Sequence, residues 1–164
     1  MSQAAPDEIL TILQRDARTS PETLATLTGR PVDEVRSAIA AYEAKGVIKR
    51  YKTIVDWDKA GVDKVFAFID VRVLPAREVG FNAVAERIYR YPEVLSVWLI
   101  SGAADLRLLV EGPDMQEIGR FVAEKLAAID GVTSTDTHFI MRRYKEDQVT
   151  YAEPEADARL VVAP

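Results

Sequence analysis

Ser101-Gly102-Ala103-Ala104-Asp105 brings together groups that a zwitterion needs. Glycine lets backbone N–H groups come close enough to take a carboxylate, and the Asp105 carboxylate can take an ammonium. An amino acid presents both charges. Ser101, Thr135 and Thr137 add hydroxyls if the strand carrying the two threonines lies beside the strand that precedes the turn. The same residues also read as an ordinary hairpin turn in which Asp105 bonds its own backbone. A second set is basic: Arg30, Arg36, Lys45, Lys49, Arg50 and Lys52, with Ser37 among them, are the residue types that contact nucleic-acid phosphates and base edges. Missing residue types narrow the chemistry further. There is no cysteine, which excludes a thiol nucleophile, a disulfide framework and a Cys-ligated metal. The one histidine, His138, stands beside Phe139 in an apolar stretch and reads as a packed or edge residue. No metal-ligand set, phosphate loop or nucleophile–base pair is present. The expectation is a binding protein, with no enzyme activity, cofactor or metal.

These residues need elements to hold them. Pro6 to Asp16 places Ile9, Leu10, Ile12 and Leu13 at helical spacing. Ser20 is an N-cap before Pro21, and Gly29 closes that second helix. Asp33 to Lys45 reads as a third helix, with Gly46 past its end. Its first turns carry Asp33, Glu34, Arg36, Ser37 and Ala40, and such a helix enters a major groove with its N-terminal residues against the bases. Val47 to Val55 then reads as an extended segment with a basic middle, so residues 1–55 are expected to form a winged helix-turn-helix. A turn-rich linker covers 56–64.

Beyond it the period changes. Val65–Val73, Val94–Ile100, Leu106–Glu111 and Val132–Tyr144 read as strands, and Glu78–Tyr91 and Met115–Ile129 as helices. The order β-α-β-β-α-β predicts a ferredoxin-like, α+β domain over 65–146. Two helices cover one sheet face. The other face is expected to be apolar and to pair with a second copy. Phe66, Phe68, Tyr89, Tyr91, Trp98 and Phe121 are expected in the core and on that face. Residues 147–164 show no sustained period and read as a disordered tail.

The chain has 164 residues and a net charge of −5, with 48% hydrophobic and 29% charged residues, a soluble globular balance. No apolar run approaches the roughly 20 residues that span a bilayer. The N-terminus has neither the basic start nor the apolar core of a signal peptide, so a cytoplasmic protein is expected. The acidic excess lies outside residues 1–60, which carry nine basic and nine acidic residues. The net charge therefore weighs against non-specific electrostatic binding, not against a local grip on DNA.

Several stretches carry a resemblance. Ile9-Leu10-Thr11-Ile12-Leu13-Gln14-Arg15-Asp16-Ala17-Arg18, Leu24-Ala25 with Gly29, and Tyr42-Glu43-Ala44-Lys45-Gly46-Val47-Ile48-Lys49-Arg50-Tyr51 occur in that order, followed by Ser101–Asp105 and Gly131–Thr137. Together they resemble the Lrp/AsnC (feast/famine) transcriptional regulators from about Asp7 to Lys145. The resemblance implies a homodimer that binds double-stranded DNA and assembles further, often to an octamer. It also implies a small effector, commonly an amino acid, bound by the second domain between dimers. The family usually carries basic residues at the positions of Ala38 and Ala41, which this chain lacks. A second reading is therefore an oligomeric metabolite sensor with weakened DNA binding that acts through a protein partner.

Overall fold

In the computed structural model residues 7–74 and 80–151 are described. The chain divides into two units, Met1–Ile54 and Val55–Pro164. In the first, each of two helices begins where a side chain can take a free N–H group. Asp7 Oδ1 accepts from the Ile9 N–H at 3.0 Å and opens α1 (Glu8–Arg15). Ser20 Oγ accepts from the Thr23 N–H at 3.1 Å and opens α2 (Pro21–Thr28), which Gly29 ends at φ 66°. The third helix, α3 (Val32–Ala44), starts directly after Pro31. Ile9, Leu13, Leu24, Ala25 and Val35 are buried between the three helices, and Ile12, Val32, Ala38, Ile39 and Ile48 pack around them. Each fully buried Ile or Leu here contributes roughly 2 kcal/mol of transfer free energy.

The expected basic wing does not form a strand in this chain. Residues 47–56 run without regular structure. A strand needs a hydrogen-bonded neighbour, and no described residue of the chain pairs with this segment.

In the second unit β1 (Val65–Val73), β2 (Val94–Leu99), β3 (Leu106–Gly112) and β4 (Val132–Phe139) form one antiparallel sheet in the order β2-β3-β1-β4. Two helices, α4 (Phe81–Ile88) and α5 (Met115–Arg120), pack on one face. This is the ferredoxin-like α+β arrangement that the element order predicts. The stretch Glu78–Val79, read as the start of α4, lies outside the described residues. Ala67, Ile69, Val71, Leu106, Leu108 and Val110 alternate inward along β1 and β3. Phe121 and Tyr91 close this core edge to face, with ring centroids 5.5 Å apart. After Arg120 the helix continues as a π-helical turn, Phe121–Leu126, whose wider loop shows in the Ala127 N–H bonding the Val122 carbonyl at 2.9 Å.

The strand predicted to run to Tyr144 leaves the sheet after Phe139. A small hairpin follows, β5 (Lys145–Glu146) with β6 (Val149–Thr150), turning on Asp147 and Gln148 at φ 44° and 70°. Residues 147–151 are thus ordered where a structureless tail is expected; 152–164 lie outside the described residues. The open sheet face also differs from expectation. Trp98, Arg107, Asp70 and Asp136 form one transverse row across all four strands, and Ser96, Leu109, Phe68 and His138 form the next. The face is therefore mixed, apolar at Phe68, Leu109 and Trp98 and charged between them. Tyr89, expected in the core or on this face, is exposed at the end of α4.

Candidate functional site

The turn between β2 and β3 is shaped by two residues. Gly102 sits at φ 127°, a conformation that L side chains rarely adopt, although a Cβ there would meet open space. Asp105 fixes the turn to the central strand. Its Oδ2 accepts from the Val73 N–H at 2.8 Å, its own N–H donates to the Val71 carbonyl at 3.0 Å, and its carbonyl accepts from the Ile100 N–H at 2.9 Å. Asp105 thus carries the β1–β3 pairing one step beyond Leu106. Its partner is the backbone of β1, neither a free ammonium site nor its own backbone. Asp105→Ala is expected to cost about 1–3 kcal/mol, from the Val73 N–H left unpaired. Chemical denaturation of the full chain measures it, and loss of protection at the Val73 amide locates it.

The turn borders a shallow depression of about 620 Å³, lined by Leu99, Ile100, Ser101, Ala103 and Ala104 on one side and by Asp70 and Arg107 on the other. Asp70 and Arg107 stand opposite each other on β1 and β3 and join through two hydrogen bonds, Nε–Oδ1 at 2.7 Å and Nη2–Oδ2 at 2.8 Å. The Arg107 hydrogen bond holds the Asp70 carboxyl below the usual aspartate range, against the opposing effect of burial. Both Asp70 oxygens accept from this fork, which stands at the edge of a hollow of mixed polarity. Ser101 lies within the hollow as expected. Thr135 and Thr137 do not: they pair with Val71 and Ile69 on β4, the edge opposite β2. The condition that would bring these threonines beside the turn is therefore not met within one chain. In an antiparallel pair, opposite residues point to one face, so both threonines lie on the helix-covered side. Asp70 and Arg107 were not legible as site residues. They lie 37 positions apart, and only the strand register makes them partners.

His138 stands 3.4 Å from Asp136 and 3.9 Å from Asp70, about half-exposed on the open face. Among the described residues no group of three or more His, Asp or Glu is placed to hold a metal ion, and no helix is long and apolar enough to cross a membrane.

In the first unit the basic residues divide into two groups. Arg30 Nη1 bonds Asp7 Oδ2 at 3.1 Å, and the Tyr42 hydroxyl donates to the same oxygen at 2.6 Å. Asp7 thus ties the start of α1 to the α2–α3 turn and to the last turns of α3. Arg36 is held by Glu22 at 2.5 Å and lies 3.9 Å from Asp33. Lys45, Lys49 and Arg50 are exposed and form no ion pair among the described residues; Lys52 is exposed as well. Ser37 is exposed on α3, its hydroxyl donating to the Asp33 carbonyl at 2.8 Å. Ala38 packs against the helical core, whereas Ala41 is exposed. Only Ala41 leaves a basic side chain missing from the outer surface.

Residues 66–150 match the Lrp/AsnC ligand binding domain. The HTH-type transcriptional regulator YugG of Bacillus subtilis is 46% identical over 96% of this chain and 95% of its own. PH0140 of Pyrococcus horikoshii, another HTH-type transcriptional regulator, is 34% identical over 80% of this chain and 81% of its own. Among solved structures MtbAldR superposes with a TM-score of 0.73 at 25% identity, over 89% of this chain and 95% of that one. A feast or famine regulatory protein from M. tuberculosis complexed with L-methionine superposes with a TM-score of 0.72 at 22% identity, over 88% and 98%. Helix-turn-helix unit, ferredoxin-like unit and full-length relatives agree: the chain belongs to the Lrp/AsnC family of transcriptional regulators.

Proposed function

We propose that this protein binds specific double-stranded DNA through its first unit and reads a small effector, an amino acid, at the depression beside the Ser101–Asp105 turn. The carrying observation is that hollow. It sets the Arg107–Asp70 pair and Ser101 around a floor that also carries Leu99, Ile100, Ala103 and Ala104, a mixed lining suited to the two charges and the side chain of an amino acid. Its shallow form fits a site completed by another copy, so a homodimer assembling further, up to an octamer, belongs to this reading. The effector acts only through different affinity for two assemblies, and so changes which DNA spacings can be bridged. The solved relative from M. tuberculosis and a regulator from Neisseria meningitidis are both described as complexes with L-methionine, which supports the effector class. A mobility-shift assay on the protein's own promoter at low salt tests the reading. A salt-sensitive shift altered by one or a few amino acids is expected. No shift at micromolar protein sinks it.

One observation favours the second reading, a sensor with weakened DNA binding that acts through a protein partner. Arg30 and Arg36 are already held by Asp7 and Glu22. Ala41→Arg separates the two. If the parent chain already shifts DNA, the variant is expected to tighten binding a few-fold. A shift seen only with the variant supports the sensor. Ala38→Arg is the wrong test, because it forces a charge against the helical core.

A further inference from the structure

Most charged side chains of the open sheet face have fixed partners. Asp70 is held by Arg107, and Glu111 by Lys64 at 2.8 Å. Arg143, stacked 4.4 Å over Phe66, pairs with Glu146 at 3.1 Å. β2 adds only Ser96 and Trp98 to this face. Two permanent charges remain. Arg72, opposite Ser134, is exposed and forms no ion pair among the described residues. Asp136, on the edge strand β4, has one ion-pair partner among the described residues. That partner is His138, its Nε2 3.4 Å from the Asp136 Oδ2, and it is a cation only when protonated.

His138 is the only histidine in the chain. Imidazole is the ordinary side chain whose charge changes between about pH 5 and 8. The second acid near it, Asp70 at 3.9 Å, already accepts two hydrogen bonds from Arg107. The proton on His138 therefore decides chiefly the charge around Asp136. While the face meets water this matters little, because both side chains are more than half exposed and solvent screens them. A second copy laid on the face changes the balance. His138 shares its row with Phe68 and Leu109, so closing the interface drives water from apolar ground beside the pair. A carboxylate that loses its water without gaining a cation opposes that closure. A two-fold interface presents the same face from each copy, so the opposition arises twice.

We propose that His138 is a proton switch on self-association: its protonated imidazole neutralises Asp136 as two open faces meet, so the homodimer is tightest in mild acid and loosens as pH rises through neutral. The inference rests on the homodimer reading above and adds its regulation. The sign follows from linkage. The dimer binds more protons than the separated chains, so its stability is complete while the imidazole is charged and is lost as pH rises.

Sedimentation of the full chain from nanomolar to micromolar concentration, at matched ionic strength, gives the dimer Kd at about pH 6 and about pH 8. A Kd about tenfold weaker at the higher pH is expected, from one proton per chain. His138→Gln is expected to flatten the profile at the parent's weaker value. Asp136→Asn is expected to tighten the dimer at the higher pH. Both side chains are exposed, so both variants are expected to keep the parent's unfolding midpoint. A dimer whose Kd is equal at the two pH values overturns the proposal, as does the same pH response in His138→Gln. A chain that stays monomeric up to about 100 μM at both pH values sinks the homodimer reading itself, and the proposal with it.

Discussion

Replacing Lys49 and Arg50 together by alanine is expected to weaken DNA binding about 10- to 100-fold at moderate salt, and to lower the slope of log affinity against log salt by about two. Carboxylates already compete for some of the basic residues. A phosphate that recruits Arg30 or Arg36 meets a guanidinium whose charge is already offset by Asp7 or Glu22, and so gains less there. Lys49 and Arg50 have no carboxylate to give up among the described residues, and each releases a counterion when it meets DNA. Fluorescence anisotropy with a promoter fragment at four or five salt concentrations measures both quantities. An unchanged slope would shift the contacts to Arg36 and α3. The loss should be nearly equal on specific and random DNA, because phosphates carry no sequence.

Asp7→Ala is expected to lower stability by roughly 2 kcal/mol, from the lost N-cap and one part-buried charged hydrogen bond. Among the described residues the helical unit has five buried residues in its core, so that is a large share of its stability. The Tyr42 hydroxyl is the chief cause that holds the Asp7 carboxyl below the ordinary aspartate value; burial opposes it, and the Ile9 N–H and Arg30 add to it. A depressed carboxylate contributes stability that is complete above the unfolded value, near 3.9, and lost as pH falls through the lower folded value. The first unit should therefore loosen below about pH 4, and Asp7→Ala should remove that part of the pH dependence. Hydrogen exchange on peptides from α1 and α3 measures both. Equal exchange in parent and variant would show that Tyr42 and Arg30 hold α3 without Asp7.

What the sequence made legible was local. The caps at Ser20 and Gly29 are set by neighbours within one turn, and α2 follows them to the residue. The strands also announced themselves, because β1 and β3 alternate buried residues with more accessible ones. Pairing is not local. Thr135 and Thr137 were grouped with the turn on an assumed neighbour, and the order β2-β3-β1-β4 puts them at the far edge. Asp70 and Arg107 became a site only through their register. The basic segment after Gly46 has the composition of a strand but joins no strand ladder among the described residues, so composition misled there. The β5–β6 hairpin escaped notice because its turn uses Asp147 and Gln148 at positive φ, without the glycine that usually marks such turns. Ala38 and Ala41 look alike in sequence, and only packing separates the core residue from the surface one.

The π-helical turn at the end of α5 has a consequence for chain length. Phe121 and Leu126 are five residues apart, and both are buried against the sheet. In a regular helix, at about 100° per residue, five steps would carry the second side chain well off the face of the first. The wide turn absorbs that excess, so this segment behaves as a helix holding one surplus residue. A deletion within Val122–Lys125 would let the turn close to ordinary helix with both anchors still inward, whereas the same deletion inside α3 would swing every later side chain by about 100°. A change of length is therefore accommodated at this point more readily than in α3.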